Sequence, residues 1–493
     1  MPAAQQLAFD VPALLARLGT VPRRITADSR DVRRGDAFAA FPGSQSDGRT
    51  FIGDALGRGA GAVFWEAAGF AWDSAWTVPE QPVAQLRDRL GAIADHVYGH
   101  PSQAMWVVGI TGTNGKTSCA QWIAQGLDAC GRRTGVLGTL GNGLAGALAP
   151  ALNTTTDAAR LHEMLATLKA AGADAVAMEV SSHGLDQGRV NAVAFDVALF
   201  TNLSRDHLDY HVTMEAYGAA KAKLLRWPGL AVAVINVDDA FGRTLAAARH
   251  AARARTLTFG AHGADIAASR VTATSQGMAI DVTTPFGAGS VEAPVVGSFN
   301  VSNLLGSLGV LLASEVPLTD ALAALAQIRP PPGRMQRFGG GDAPLVVVDY
   351  AHSPDALDKA LSALRSTVAA GRSLVCVFGC GGDRDPGKRW EMGRIAARLA
   401  DRIVVTADNP RGEDPAAIAE AIGIGIREAD GTDYDVELDR GVAIRSAIRA
   451  ARAGDVVLVA GKGHETYQEA AGVRVHFSDA EAVVAAILER QDA

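Results

Sequence analysis

Short apolar runs alternate with amphipathic stretches along most of this chain, and the spacing predicts layered α/β structure. The clearest instance starts at Trp106-Val107-Val108, an apolar run of the kind that makes a buried strand. A glycine-rich segment, 109–117, follows. Beyond it comes a helical period with Trp122, Ile123, Leu127 and Cys130 on one face and Gly131 placed to stop it. The same reading predicts strands at 37–41 and 62–65, at 175–180, 193–201 and 231–237, and a helix at 161–171. From 106 to about 330 the alternation of strands and helices implies a mostly parallel sheet covered on both faces.

Punctuation divides the chain. Pro101-Ser102 precedes the glycine-rich unit, and Arg329-Pro-Pro-Pro-Gly333 is the strongest break. A length of 493 residues suits three domains, and the breaks place them at 1–104, 105–332 and 333–493. After 334 the predicted strands are 345–349, 373–378, 402–406 and 455–460. Each runs straight into a polar cluster: Tyr350-Ala-His-Ser-Pro, Gly379-Cys-Gly-Gly-Asp-Arg-Asp, Ala407-Asp-Asn-Pro-Arg and Gly461-Lys-Gly-His-Glu. Ligands of open α/β sheets bind beyond the carboxyl ends of strands, so the four clusters predict one functional edge. Ser353-Pro354 and Asp414-Pro415 read as N-caps followed by proline at the first helical position.

Composition narrows the class. With 48% hydrophobic and 20% charged residues the chain reads as an ordinary globular protein. A formal charge of −7 argues against general nucleic-acid binding. Cys119, Cys130, Cys376 and Cys380 show no zinc spacing and suit a reducing cytoplasm. The first ten residues lack the basic and apolar regions of a signal peptide, and no run approaches the ~20 apolar residues of a membrane helix.

Gly109-Ile-Thr-Gly-Thr-Asn-Gly-Lys-Thr117 carries the first chemistry. A glycine-rich turn between strand and helix exposes backbone N–H groups to phosphate, Lys116 adds a point charge, and the Thr117 hydroxyl can hold Mg²⁺. The general phosphate-loop pattern has glycine where this chain has Ile110. Gly112-Thr-Asn-Gly115-Lys-Thr is a shorter variant, and its position still predicts binding of a nucleoside triphosphate.

Taken together, the motifs resemble those of the Mur ligases, ATP-dependent amide-forming enzymes of peptidoglycan precursor synthesis. The resemblance spans nearly the whole chain and rests on Asp28-Ser29-Arg30, Thr111–Thr117, Asn153-Thr-Thr, Glu179-Val-Ser-Ser-His183, Asn202-Leu-Ser-Arg-Asp-His207-Leu-Asp, Asn300-Val-Ser-Asn303, Gly333-Arg-Met335, Asp349-Tyr-Ala-His352 and Gly461-Lys-Gly-His464-Glu465. Nine motifs in family order are specific where any one is weak. Within the family the chain looks most like members that add the third amino acid of the stem peptide. The resemblance implies three domains: an N-terminal one for a UDP-sugar, a central P-loop ATPase-like parallel sheet for ATP, and a Rossmann-like C-terminal one for the incoming amino acid. It also implies a cytoplasmic enzyme, which we expect to be a monomer.

By the same resemblance Gly112, Thr113, Asn114, Gly115, Lys116 and Thr117 cradle ATP, with Asn300 at adenine, Arg334 at the transferring phosphoryl group and Asp349 at the ribose or domain junction. Lys116, Glu179, His207 and Lys221 match catalytic positions, and Thr117, Glu179, His207 and Lys221 match ligands of Mg²⁺, which the resemblance implies is bound as two ions. Composition alone makes Ala219-Ala-Lys221-Ala-Lys223 a helix with exposed lysines. The family register instead makes Lys221 a carbamate, whose anionic oxygens can hold a metal. Ser29, Ser44, Gln45 and Ser46 match the uridine diphosphate end of the substrate UDP-MurNAc-L-Ala-D-Glu. Asn153, Thr154, Thr155, Ser181, Gln187 and Arg189 match its sugar-peptide end. Thr156-Asp157 follows where relatives vary.

Asp408-Asn409-Pro410-Arg411 resembles the loop of members that use meso-diaminopimelate and not lysine. Arg411, supported by Arg384, can pair the distal carboxylate of that substrate, while the Gly461 carbonyl and the Glu465 carboxylate accept from its ammonium. Competing readings stay open: a lysine-adding sister, a folylpolyglutamate synthase, or an inactive UDP-sugar-binding paralogue. The Asp-Asn-Pro-Arg loop disfavours the first, the early UDP-sugar motifs the second, and the presence of Lys116, Glu179, His207 and Lys221 the third.

Overall fold

Strand Trp106–Thr111 lies at the centre of an eleven-stranded sheet, between Val197–Phe200 and Ala175–Glu179, both parallel to it. The computed structural model describes residues 9–43, 46–151, 153–248, 254–274, 277–429 and 434–491. The parallel run continues on one side through Thr134–Gly138 and on the other through Val232–Asn236, Arg255–Gly260 and the start of Ile266–Ala273. Because Thr111, Glu179 and Phe200 are all carboxyl ends of neighbouring parallel strands, the loops after them converge.

Both faces of this sheet are covered. Helices Lys116–Ala129 and Ser298–Ala313 bring Trp122, Ile123, Leu127, Leu304, Leu308 and Leu311 into one core. Helices Ala158–Ala170 and Met214–Leu225 bring Leu161, Leu165, Leu168, Leu224 and Leu225 into the other. The expected helical period after Thr117 is met, with Cys130 at the C-cap and Gly131 at φ 83°.

Two expectations are corrected. The strand expected over 193–201 is only Val197–Phe200. Ala192 takes a positive φ of 67°, and Val193 packs into the core from the turn instead. Strict alternation also fails at both sheet edges, where Thr134–Gly138, Gly141–Leu144 and Ala147–Ala149 form one antiparallel meander and Ile266–Ala273, Met278–Thr284 and Gly287–Ala293 another. The second meander buries alternate residues on one face only, which antiparallel edges tolerate and a parallel sheet does not.

A second sheet is six-stranded, in the order Gln336–Gly339, Leu345–Asp349, Val456–Ala460, Leu374–Phe378, Arg402–Val405, Tyr434–Val436. The four strands expected to end in polar clusters are mutually parallel, so the clusters share one edge. Helices Pro354–Arg365, Gly387–Leu399 and Pro415–Arg427 cover one face, while Arg440–Ala450 and Asp479–Gln491 cover the other. Both expected caps form: Ser353 accepts from Ala356 N and Asp414 from Ala416 N, each with proline in the first turn.

The N-terminal sheet is four-stranded and parallel, in sequential order Ile25–Thr26, Ala37–Ala40, Ala62–Trp65, Glu80–Pro82. Its first and last strands had no strong apolar run to announce them. Buried Arg24 ties this sheet to the central unit by donating to Glu163 Oε1 at 2.7 Å.

Candidate functional site

The loop after strand Trp106–Thr111 has a shape that side chains would destroy. Gly112 sits at φ 147°, and a Cβ there would fall 1.9 Å from Thr201 Oγ1. Gly115 sits at φ 88°, where a Cβ would meet Asn303 Oδ1 at 2.3 Å. Asn202 fixes the turn: its carbonyl accepts from Thr113 N and its Oδ1 accepts from Asn114 N, both at 2.9 Å. Lys116 curls over the loop, with Nζ donating to the carbonyls of Gly112 and Thr113 at 2.9 Å each. Burial lowers its pKa from the ordinary lysine value.

Thr117 faces the neighbouring strand end. Its hydroxyl donates to Glu179 Oε2 at 2.9 Å and accepts from Arg334 Nη2 at 3.0 Å. Glu179 is only 2% exposed. It also accepts from Thr139 N at 2.8 Å and from Thr139 Oγ1 at 3.1 Å. Thr139 escaped the sequence reading; its one signal is a position just after strand Thr134–Gly138, beside the predicted carboxylate.

Lys221 is 1% exposed and Lys223 is 47% exposed on its side chain, the latter pairing with Asp186 at 2.8 Å. The expected choice of Lys221 over Lys223 thus coincides with a clear difference in burial. Lys221 Nζ donates to Gly112 O at 2.7 Å and lies 4.3 Å from the Tyr217 ring centroid. Burial, with Lys116 nearby, drives its pKa well below the ordinary value. His207 has positive φ, 54°, and stacks edge-on to His183 with centroids 4.9 Å apart. Burial takes its pKa down to about 3 against the opposing pull of Asp206, so the imidazole is neutral at physiological pH.

Arg334, Asp349 and Asn300 meet in a cleft of about 360 Å³ between the central and C-terminal sheets, lined also by Asn114, Gly115, Tyr350 and Lys359. Arg334 lies over the Tyr350 ring at 4.5 Å. Burial raises the Asp349 carboxyl to about 6, with Arg334 opposing, and its Oδ2 accepts from Met335 N at 2.8 Å. Asn300 anchors its amide on Val296 O at 2.9 Å, and its Oδ1 accepts from Asn303. A link unseen in the sequence closes the cleft: Asp355 Oδ2 accepts from Asn114 Nδ2 at 2.8 Å and from Ser204 Oγ at 3.1 Å.

Several residues expected at the sugar-peptide end also gather beside Glu179. Thr155 Oγ1 donates to Glu179 O at 3.0 Å, and Thr154 Oγ1 lies 2.9 Å from Thr139 Oγ1. Arg189 Nη1 donates to Thr155 O at 2.7 Å while the same guanidinium holds Gln187 Oε1. Ser181 caps the following helix by accepting from Gly184 N. Asn153 is exposed on the same loop as Thr154. Ser29 is buried in a 3₁₀ turn of the N-terminal unit, and Ser46 is exposed nearby in sequence to the Asp47–Arg49 ion pair. Ser44 and Gln45 lie outside the described residues.

The diaminopimelate candidates cluster at the edge of the C-terminal sheet. Arg411 has φ 52° and donates from Nη1 to Gly382 O at 2.8 Å; its backbone pairs with Ala470. Arg384 is exposed and flanks Gly381 together with Arg411. Asp408 is buried against Gly461, where an added Cβ would sit 2.5 Å from Asp408 Oδ2. Pro410 is buried beside Gly382. Asn409 points inward, giving Nδ2 to Glu465 Oε2 at 2.8 Å.

Comparison with known proteins follows the same layout. Residues 23–98 match the Mur ligase family catalytic domain, 110–311 the Mur ligase middle domain, and 333–463 the Mur ligase glutamate ligase domain. A Chromobacterium violaceum protein named UDP-N-acetylmuramoyl-L-alanyl-D-glutamate--2,6-diaminopimelate ligase is 52% identical over 95% of this chain and 94% of its own. A Pseudomonas aeruginosa protein of the same name is 53% identical over 93% of each chain. A solved structure of a protein so named aligns with TM-score 0.67 and 38% identity, covering 95% of both chains.

Proposed function

The chain belongs to the Mur ligase family, and on that premise we propose that it joins meso-2,6-diaminopimelate to the D-glutamate of UDP-MurNAc-L-Ala-D-Glu at the expense of ATP. The products are the UDP-MurNAc-tripeptide, ADP and phosphate. The enzyme is an ATP-dependent acid–amino-acid ligase of peptidoglycan synthesis. The observation that carries this reading is the contact of Arg334 with Thr117. It brings the unit bearing the diamine loop onto the phosphate loop, as a reaction that activates one substrate and then adds another requires.

A carboxylate is a poor acyl donor. Attack of the D-glutamate carboxylate on the γ-phosphorus expels ADP and makes an acyl phosphate; attack by the amine forms the amide and expels phosphate. Catalysis then depends on position and charge neutralisation. Lys116 and the amides of 112–117 hold the phosphates, Arg334 stabilises the transferring phosphoryl group, and Asn300 and Asp349 hold the nucleoside. Ser29, Ser44, Gln45 and Ser46 take the uridine diphosphate, while Asn153, Thr154, Thr155, Ser181, Gln187 and Arg189 take the sugar-peptide.

The fit to Mg²⁺ can be judged from the donors. The buried Glu179 carboxylate and the Thr117 hydroxyl are oxygen donors that suit a hard cation, and a neutral His207 could add a ring nitrogen without adding positive charge. Lys221 fits only once its amine is carbamylated: the neutral nitrogen forms a bond to CO₂ and loses a proton, turning a donor into an anionic acceptor. Its burial supports that step. Bound Mg²⁺ would neutralise phosphate charge.

We assign 1–104, 105–332 and 333–493 as the three working domains, each containing one of the main sheets. The enzyme acts as a cytoplasmic monomer, and its four free thiols fit a reducing compartment.

Arg411→Ala tests the choice of amino acid. The guanidinium reads the distal carboxylate, which takes no part in bond formation, so its loss should raise the diaminopimelate KM far more than the ATP KM. A charge-assisted hydrogen bond contributes about 1.5–3 kcal/mol, and an unpaired partner adds to the loss. A fall of about 10²-fold or more in kcat/KM for diaminopimelate is expected, with little change for L-lysine. Equal losses for both would mean that Arg411 only holds the loop.

A further inference from the structure

The motif Gly461-Lys-Gly-His-Glu465 contains a lysine with no part in the chemistry above, and it is fully buried. Lys462 is 0% exposed. Its ammonium donates to Glu465 Oε2 at 2.9 Å and to Asn409 Oδ1 at 3.2 Å, and lies 5.3 Å from the Tyr467 ring centroid. A charge taken out of water is tolerated only when paired and hydrogen-bonded, so this side chain is held where it is by those groups.

The contacts form a relay. Asn409 Nδ2 also donates to Glu465 Oε2, so that oxygen has two donors. Among the described residues the other oxygen of Glu465 has no donor. Asn409 Oδ1 in turn accepts from Glu469 N at 2.9 Å. That fixes strand Tyr467–Ala470, whose Glu469 carbonyl accepts from Arg411 N at 3.0 Å. Gln468 Nε2 adds a bond to Asp408 O at 2.8 Å. Arg411 needs such support, because its positive φ is a conformation that an arginine does not adopt freely.

We infer that Lys462 is a positioning residue for the amino-acid substrate. It turns Glu465 so that one oxygen is left for the substrate ammonium, and through Asn409 and strand Tyr467–Ala470 it sets the backbone of Arg411, which reads the distal carboxylate. One buried cation thus registers both ends of the diaminopimelate site without touching the substrate. The inference rests on the diaminopimelate reading given above.

The test is steady-state kinetics of the full-length Lys462→Met enzyme with ATP, Mg²⁺ and UDP-MurNAc-L-Ala-D-Glu, using diaminopimelate or L-lysine. The expected result is a rise of about tenfold or more in the diaminopimelate KM, the weight of a charge-assisted hydrogen bond. The KM for ATP should stay unchanged, and preference for diaminopimelate over lysine should fall. Lys462→Arg, which keeps a cation, should recover part of the KM. In a cycle with Glu465→Gln the two effects should be strongly non-additive. A loss of active enzyme with an unaltered diaminopimelate KM would overturn the inference, since a merely structural lysine would produce that pattern. If the methionine variant does not fold, Lys462→Gln is read by the same criteria. Wild-type enzyme that ignores diaminopimelate would instead overturn the functional reading itself.

Discussion

Lys116→Ala should abolish acyl-phosphate formation while leaving UDP-sugar binding largely intact. The expected loss in turnover is at least the ~10²–10³-fold seen when one electrostatic donor to a transition state is removed. Lys116 has two anchors in this structure, the carbonyls of Gly112 and Thr113, both within the loop proposed to receive the phosphates. On the proposed reading, its ammonium is already fixed at the loop before nucleotide arrives, and little reorganisation would be needed when charge develops there. Its burial sharpens the effect, since a cation is held against its desolvation cost where opposite charge is to come. The measurements are single-turnover ADP formation and calorimetric binding of UDP-MurNAc-L-Ala-D-Glu. Near-normal turnover in the mutant would remove the ATP assignment.

The second large effect belongs to Lys221. Its substitution by alanine should lower ligation by about 10²-fold or more, the scale of losing a group that stabilises charge at the reacting phosphoryl. Added short carboxylates should restore part of the rate. The nitrogen lies 2.7 Å from Gly112 O, at the turn that opens the phosphate loop, and burial together with Lys116 disfavours its charged form. The sign matters. A lysine whose folded pKa is lowered is destabilising as a cation, and that cost disappears as pH rises and the amine becomes neutral. Carbamylation would remove the cation altogether, relieve the repulsion with Lys116 and replace a donor nitrogen by anionic oxygens at the turn of Gly112. Labelled bicarbonate followed by carbon NMR reads the modification directly. An active enzyme in which Lys221 is an unmodified amine would overturn it.

How far the sequence foretold this differs from one part of the molecule to another. The phosphate loop was legible because strand, glycine turn and helix are contiguous, and each has its own local signal. The gathering of the four clusters at one edge of the C-terminal sheet was legible because four apolar runs end abruptly in polar residues, and parallel pairing then aligns those ends. The contacts that make the clusters work were not legible. Thr139 holds Glu179 across 40 positions of sequence, Lys462 holds Asn409 across 53, and Asp355 reaches Asn114 across 241. No periodicity connects residues so far apart; only the order of strands does. Asn409 shows the consequence. Its motif marked it as a substrate contact, yet its amide is engaged with Glu465, Lys462 and Glu469. The meander at 266–293 was missed for a different reason. Its first strand buries little beyond its start, so its Ala-, Ser- and Thr-rich sequence carries no apolar run.

Simultaneous quantification of ADP and of the nucleotide-sugar product tests the account most directly. The purified enzyme would be supplied with UDP-MurNAc-L-Ala-D-Glu, ATP, Mg²⁺ and either meso-diaminopimelate or L-lysine. The predicted result is one ADP for each UDP-MurNAc-tripeptide with diaminopimelate, and a kcat/KM for lysine lower by about 10⁴-fold, the scale on which a polar site rejects an analogue lacking its paired group. ADP release with neither amino acid, or a preference for lysine, would contradict it.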